Sequence, residues 1–174
     1  MAKLFFALPV DDLATELILW RDQRSWPGVL VPQENLHLTL AFLGEAEEAM
    51  VAPLIAAVNR QHCPPLSIPL DEVGWFSRAR AAWIGPRQWP NELTVLANAL
   101  QRHGERFGLG NGDQHYRPHI TLSRKAPEPP VREPAPHFMF TVNRFCLYQS
   151  VSCPDGVCYI PRATWPLQRR SHDL

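Results

Sequence analysis

Two tetrads of one form stand 82 residues apart: His37-Leu38-Thr39-Leu40 and His119-Ile120-Thr121-Leu122. In an extended strand, side chains at i and i+2 point to the same face. Each tetrad therefore presents an imidazole beside a hydroxyl and turns its two apolar residues toward a core. Threonine suits the place because it is β-branched, and its hydroxyl both donates and accepts. Two such strands facing each other surround a small anion with two imidazoles and two hydroxyls. That set suits phosphodiester cleavage without a metal. A neutral imidazole takes a proton from the nucleophile, and a protonated one gives a proton to the leaving oxygen. The hydroxyls hold the non-bridging oxygens as charge develops. A lone strand histidine is more often a half-buried residue bonded to backbone; the repetition is what points to chemistry.

Other histidines compete poorly. His115 and His119 have an i, i+4 spacing that could hold zinc on a helix, but Pro118 argues against a helix there. No cysteine or carboxylate ligand lies beside them, so no metal site is expected. His62, His103, His137 and His172 have no partner pattern and are read as surface residues. The six tryptophans are scattered, which fits core or cleft wall better than a stacking platform.

The elements that must position the tetrads follow from hydrophobic periodicity. Lys3 to Leu8 (KLFFAL) form a short apolar run ended by Pro9 and read as a buried strand. Leu13, Leu17 and Trp20 recur at helical spacing, giving a first helix to about Arg24. Leu36, Leu38 and Leu40 alternate with His37 and Thr39, a strand ended by Gly44. A second helix is expected from Glu47 to Asn59. Leu66–Leu70 and Ala81–Ile84 read as a strand pair joined near Phe76–Arg80. Pro90 fits the first position of a third helix to about Phe107. The second tetrad is a strand. Residues 126–136, with five prolines, are an extended loop that cannot lie inside a sheet. Phe138–Val151 and Val157–Leu167 complete the set as two strands. This order, without regular β-α alternation, predicts an α+β fold with antiparallel sheets.

Composition bounds the rest. The 174 residues carry 17 basic and 17 acidic side chains, for a formal net charge of zero. A protein held on nucleic acid by bulk charge needs a basic excess, so any nucleic-acid work here is local. The basic residues are nearly all arginine, which either serves phosphate-gripping forks or reflects codon usage. No run approaches the roughly 20 apolar residues of a membrane span. The first residues lack the pattern of a signal peptide. A cytoplasmic monomer is expected. Cys63, Cys146, Cys153 and Cys158 are read as reduced thiols, with a Cys153–Cys158 disulfide as the alternative.

With its tetrads and their flanks, the sequence resembles the two-histidine phosphoesterase superfamily. Within it, it is similar to the RNA 2′,3′-cyclic phosphodiesterases, also called 2′-5′ RNA ligases. LFFAL, NLHLTLAFLGE, YRPHITLSR and VCYIPRATWPL carry the resemblance over nearly the whole chain. It implies one domain over residues 1–174, built as two similar antiparallel lobes flanked by helices, related by a pseudo-twofold axis around a central cleft. It implies opening of a 2′,3′-cyclic phosphate at an RNA or oligonucleotide terminus to a 2′-phosphomonoester without cofactor or metal. The reverse chemistry is ATP-independent 2′-5′ ligation. By position, His37 is the expected proton donor, His119 the expected proton acceptor, and Thr39 and Thr121 the phosphate grip. Phe42 and Arg124, three residues beyond the two threonines, would hold the terminal nucleotide. Core packing for Phe42 and a solvated strand end for Arg124 are the plain alternatives. Two rival functions remain: a binding module for RNA ends or nucleotides without turnover, and the same chemistry on a small cyclic nucleotide.

Overall fold

The computed structural model describes residues 1–112 and 115–169; His172 lies outside the described residues. It is α+β, with a mostly antiparallel sheet. The strands are β1 (Ala2–Pro9), β2 (Val29–Leu30), β3 (His37–Ala46), β4 (Leu66–Leu70), β5 (Glu72–Phe76), β6 (Ala81–Gly85), β7 (Ile120–Arg124), β8 (Phe138–Val142), β9 (Arg144–Cys153) and β10 (Gly156–Pro166). The helices are α1 (Leu13–Asp22), α2 (Glu48–Val58) and α3 (Asn91–Arg106), with a short 3-10 turn at Gln33–Asn35.

The main sheet runs β10-β9-β1-β3-β7-β6-β5, with β2 added on β7. The two tetrad strands, β3 and β7, are neighbours at its centre. They pair through a single bridge, Leu38 opposite Ile120. The sheet divides there into two halves, each contributing one tetrad.

The period-two reading of β3 holds residue by residue. Leu36, Leu38 and Leu40 are buried, while His37 and Thr39 are only half-buried. Behind β3 lies α3, whose Leu93, Leu96, Ala97 and Leu100 face inward at helical spacing. Gly104 lets the helix approach closely, since a Cβ there would stand 2.5 Å from Leu43 Cδ2. The packed helix thus supports the tetrad strand from its core face.

Three expectations are corrected. Leu66–Leu70 does not pair with Ala81–Gly85. It pairs with β8 in a separate two-stranded sheet, and β6 takes β5 as its hairpin partner. The expected connection near Phe76–Arg80 does join two strands, but the strand before it is Glu72–Phe76, not Leu66–Leu70. Pro90 is the residue before α3 rather than its first, in an extended conformation (ψ 138°). Finally, Cys153 and Cys158 form a disulfide; only Cys63 and Cys146 are free, both buried. The tight turn between β9 and β10 brings the two Cα atoms to 6.0 Å, within disulfide reach. A smaller departure is His103, which is half-buried rather than a surface residue, with a buried Nδ1 that has no hydrogen-bond partner.

Candidate active site

All six residues singled out in the sequence line one cleft of about 580 Å³: His37, Thr39, Phe42, His119, Thr121 and Arg124. The two imidazoles are held in the same way. His37 Nδ1 lies 2.8 Å from the Asn35 carbonyl, and His119 Nδ1 lies 2.8 Å from the Arg117 carbonyl. A carbonyl only accepts, so in each ring Nδ1 carries the proton and donates it. Nε2 of the neutral ring is then the free acceptor, on the side away from the backbone. Each histidine thus bonds the residue two before it, and the repeat in the sequence is a repeat in hydrogen bonding.

Aromatic rings fix the planes. His37 packs against Phe5 at 4.9 Å and against the edge of Tyr159 at 5.1 Å between centroids. His119 meets Phe76 edge-on at 4.8 Å and Trp83 at 6.1 Å. The Arg117 guanidinium lies over Trp83 and bonds Glu72 Oε2 at 2.6 Å. Tyr116 donates from its hydroxyl to the Thr39 carbonyl at 3.1 Å. That bond ties the approach to the second tetrad onto the first, beside the single bridge between β3 and β7.

Burial pushes the pKa of His37 down to about 4, opposed by the hydrogen bond to the Asn35 carbonyl and assisted by the Arg124 guanidinium and by the proximity of the second titrating ring, His119. Burial also lowers His119, with Arg117 and Arg124 assisting and the Arg117 carbonyl opposing. Both rings are therefore neutral in the empty cleft near neutral pH. An entering phosphate anion favours protonation and offsets the two guanidiniums.

This has a consequence for stability. Below about pH 6.5 an unfolded His37 binds a proton that the folded one refuses until about pH 4. The unfolded state holds more protons in that window, so stability falls as pH falls through it, by about 1 kcal/mol per pH unit at the steepest. Thermal unfolding followed from pH 7 to pH 4 should show this fall, and His37→Gln should flatten it. An unchanged slope in the variant would contradict the burial of His37.

Phe42 is not core: it is 47% exposed at the cleft, although it follows the buried Leu40 and Ala41. A disruption of the β1–β3 register between Leu4 and Phe5, whose partners are Gly44 and Phe42, lies at this point. Arg124 is exposed, lines the cleft, and reaches the Tyr159 hydroxyl at 3.4 Å. Sequence reasoning missed Phe5, Asn35 and Tyr159 as cleft residues. Phe5 was hidden in an apolar run, and Tyr159 is brought in only by the β9–β10 hairpin. It also missed β2, whose two residues are too few for periodicity to register.

Comparison with known proteins gives the family. Residues 8–83 match the model of the LigT-like phosphoesterases. The chain is 38% identical to the RNA 2′,3′-cyclic phosphodiesterase of Escherichia coli, covering 95% of this chain and 96% of that protein. It is 31% identical to the enzyme of that name from Archaeoglobus fulgidus, over 90% and 96%. Among solved structures, E. coli LigT complexed with 3′-AMP superposes with a TM-score of 0.90 at 35% identity, covering 97% of this chain and 99% of that one. The class is thus a phosphoesterase. Within it, the chain belongs to the LigT-like family of RNA 2′,3′-cyclic phosphodiesterases.

Proposed function

We propose that this protein opens 2′,3′-cyclic phosphates at RNA termini, leaving 2′-phosphomonoesters, with His37 and His119 as acid and base. The observation that carries this reading is the pair of imidazoles fixed through Nδ1 to backbone carbonyls, each with its threonine, lining one cleft. The names of the relatives support the substrate class.

In the reaction, His119 Nε2 takes a proton from water as the water oxygen bonds to phosphorus. The P–O3′ bond breaks, and protonated His37 delivers its Nε2 proton to O3′. The product is a 2′-phosphate beside a free 3′-hydroxyl. Thr39 and Thr121 donate to the non-bridging oxygens as their charge grows. Phe42 offers a face for the terminal base, and Arg124 a cation for base or phosphate. A 5′-hydroxyl in place of water gives a 2′-5′ linkage by the same proton movements, without ATP. One copy of the chain suffices for all of these steps.

The test is incubation of an RNA oligonucleotide ending in a 2′,3′-cyclic phosphate, in EDTA, with the position of the product phosphate determined. Repeated turnover to a 2′-phosphate is expected. Tight binding without turnover would replace the enzyme by a binding module. Turnover only of free cyclic nucleotides would move the reading to a small-molecule substrate, and loss of activity on chelation would sink the metal-free scheme.

A further inference from the structure

Fifteen of the 17 basic residues are arginine, and the two lysines, Lys3 and Lys125, both line the catalytic cleft. The residues of that cleft make up only about a ninth of the chain. Neither lysine takes part in an ion pair among the described residues. The cleft holds a single carboxylate among the described residues lining it, that of Asp155 on the β9–β10 turn. Its mouth is therefore net positive on a chain whose net charge is zero.

Their places in the sheet separate the two lysines. Lys3 is the second residue of β1, one same-face step before Phe5, whose ring packs on His37. Lys125 follows the last residue of β7. Both β1 and β7 run antiparallel to β3, so they run in the same direction. The start of one and the end of the other lie at opposite ends of the cleft, with the histidines between. Lys125 also adopts a left-handed backbone conformation, φ 54°, which costs a non-glycine residue about 1 kcal/mol or more. Such strain at a cleft is where a functional constraint is expected.

A nucleoside cyclic phosphate has one phosphate, and the two histidine–threonine pairs already face it. Cations on both flanks gain a role only when the ligand carries further phosphates. We infer that the lysine on the flank by which the strand leaves its cyclic end, Lys3 or Lys125, binds an internucleotide phosphate beside the reacting one, so that the cleft selects a nucleic-acid strand over a mononucleotide. Lysine suits this as a compact, rotatable point charge that follows a backbone without demanding one bidentate geometry. The inference rests on the proposed RNA-end reading and specifies the length of chain that the same cleft engages.

The experiment compares a nucleoside 2′,3′-cyclic phosphate with a tetranucleotide ending in one, across a salt series. Wild type is set beside Lys3→Gln, Lys125→Gly and the double variant. Glycine at position 125 relieves the left-handed backbone, so Lys125→Gly should fold at least as well as wild type while binding more weakly. We expect kcat/KM to favour the tetranucleotide, and this preference to collapse in the double variant. Each lysine beneath the strand should contribute up to roughly fivefold. Its removal should make the negative slope of log(kcat/KM) against log[salt] shallower by about 0.7, the value for one single-strand phosphate contact. The single variants then report which end of the cleft the strand crosses. Equal turnover of the two substrates by wild type, or a preference the double variant keeps, would overturn the inference. If neither substrate is turned over, the RNA-end reading fails instead. The lysines are then read by anisotropy with a tetranucleotide and a mononucleotide, each ending in a 2′-phosphate. Length-independent binding there would overturn the inference as well.

Discussion

His37→Ala and His119→Ala should each lower kcat for a cyclic-ended RNA by about 10²–10⁴-fold, the span of a lost general acid or base. The double variant should fall by far less than the product of the two, because acid and base act on one transition state. Neither loss should reflect unfolding. Each ring is half-buried at the cleft and is held by a hydrogen bond to a carbonyl two residues away. Asparagine at either position can donate to that carbonyl but cannot titrate. It should therefore match alanine in activity and wild type in thermal stability. The pH profile should follow from the same geometry. The base must be neutral and the acid protonated, so the profile is a bell. Both pKa values are lowered in the empty cleft, so the bell in kcat/KM should centre on the acid side of 6.5. In kcat it should move to higher pH, because bound phosphate favours the protonated rings. A profile that rises without falling would contradict the pair.

Gly28→Ala should cost about 3 kcal/mol and most of the activity. Gly28 has φ +85°, and a Cβ there would stand 2.2 Å from the Arg124 carbonyl oxygen and 2.9 Å from the Ala126 nitrogen. Both obstacles are backbone and cannot rotate away. The cost combines a left-handed non-glycine residue, about 1–2 kcal/mol, with overpacking of about 1–3 kcal/mol. For a chain of this size that is a fall of roughly 6–12 °C in Tm. The displaced segment leads directly into β2, which lines the cleft through Val29 and Leu30. Ser123 donates to the Pro27 carbonyl on the same segment. Arg21, itself buried, reaches the Val31 carbonyl at 2.5 Å and the Leu122 carbonyl at 3.3 Å. The whole cradle would move together. Gly108→Ala is the control, since its φ is +73° but nothing lies within 4 Å of the added Cβ. It should lose only the backbone part of the cost and keep its activity. Equal Tm losses in the two variants would show that the contact with Arg124 is not tight.

The site was legible because it is periodic. Alternation in Leu36–Leu40 fixed which face carries His37 and Thr39, and the same pattern at 119–122 fixed the partner. Neither depends on knowing what lies beside the strands. What failed depended on non-local pairing. Nothing local distinguishes a partner for Leu66–Leu70 in Ala81–Gly85 from one in Phe138–Val142, 72 residues further on. The Cys153–Cys158 disulfide stood only as the alternative for a related reason: compartment favours reduced thiols, while the turn that brings the two cysteines together is not visible in composition. Phe42 was expected at the nucleotide from the resemblance alone, since apolar pattern equally allowed core packing; a disturbed register accompanies its exposure at the cleft. Tyr159 and Asn35 became site residues through non-local contact between the β9–β10 hairpin and the residues before β3, seen in the bond from Asn35 Nδ2 to the Val157 carbonyl at 2.9 Å. Hydrophobic pattern does not encode such contacts.

The most direct measurement uses a substrate whose bridging 3′-oxygen is replaced by sulfur. A thiolate leaves without a proton, so the variant that lacks the acid should be rescued and the variant that lacks the base should not. Turnover of the 3′-thio cyclic-ended RNA by His37→Ala should return to within about tenfold of wild type, while His119→Ala stays down by the factor of about 10²–10⁴ expected of a missing base. Rescue of His119→Ala alone would reverse the two roles. Equal defects in both variants on both substrates would contradict acid–base catalysis by this pair.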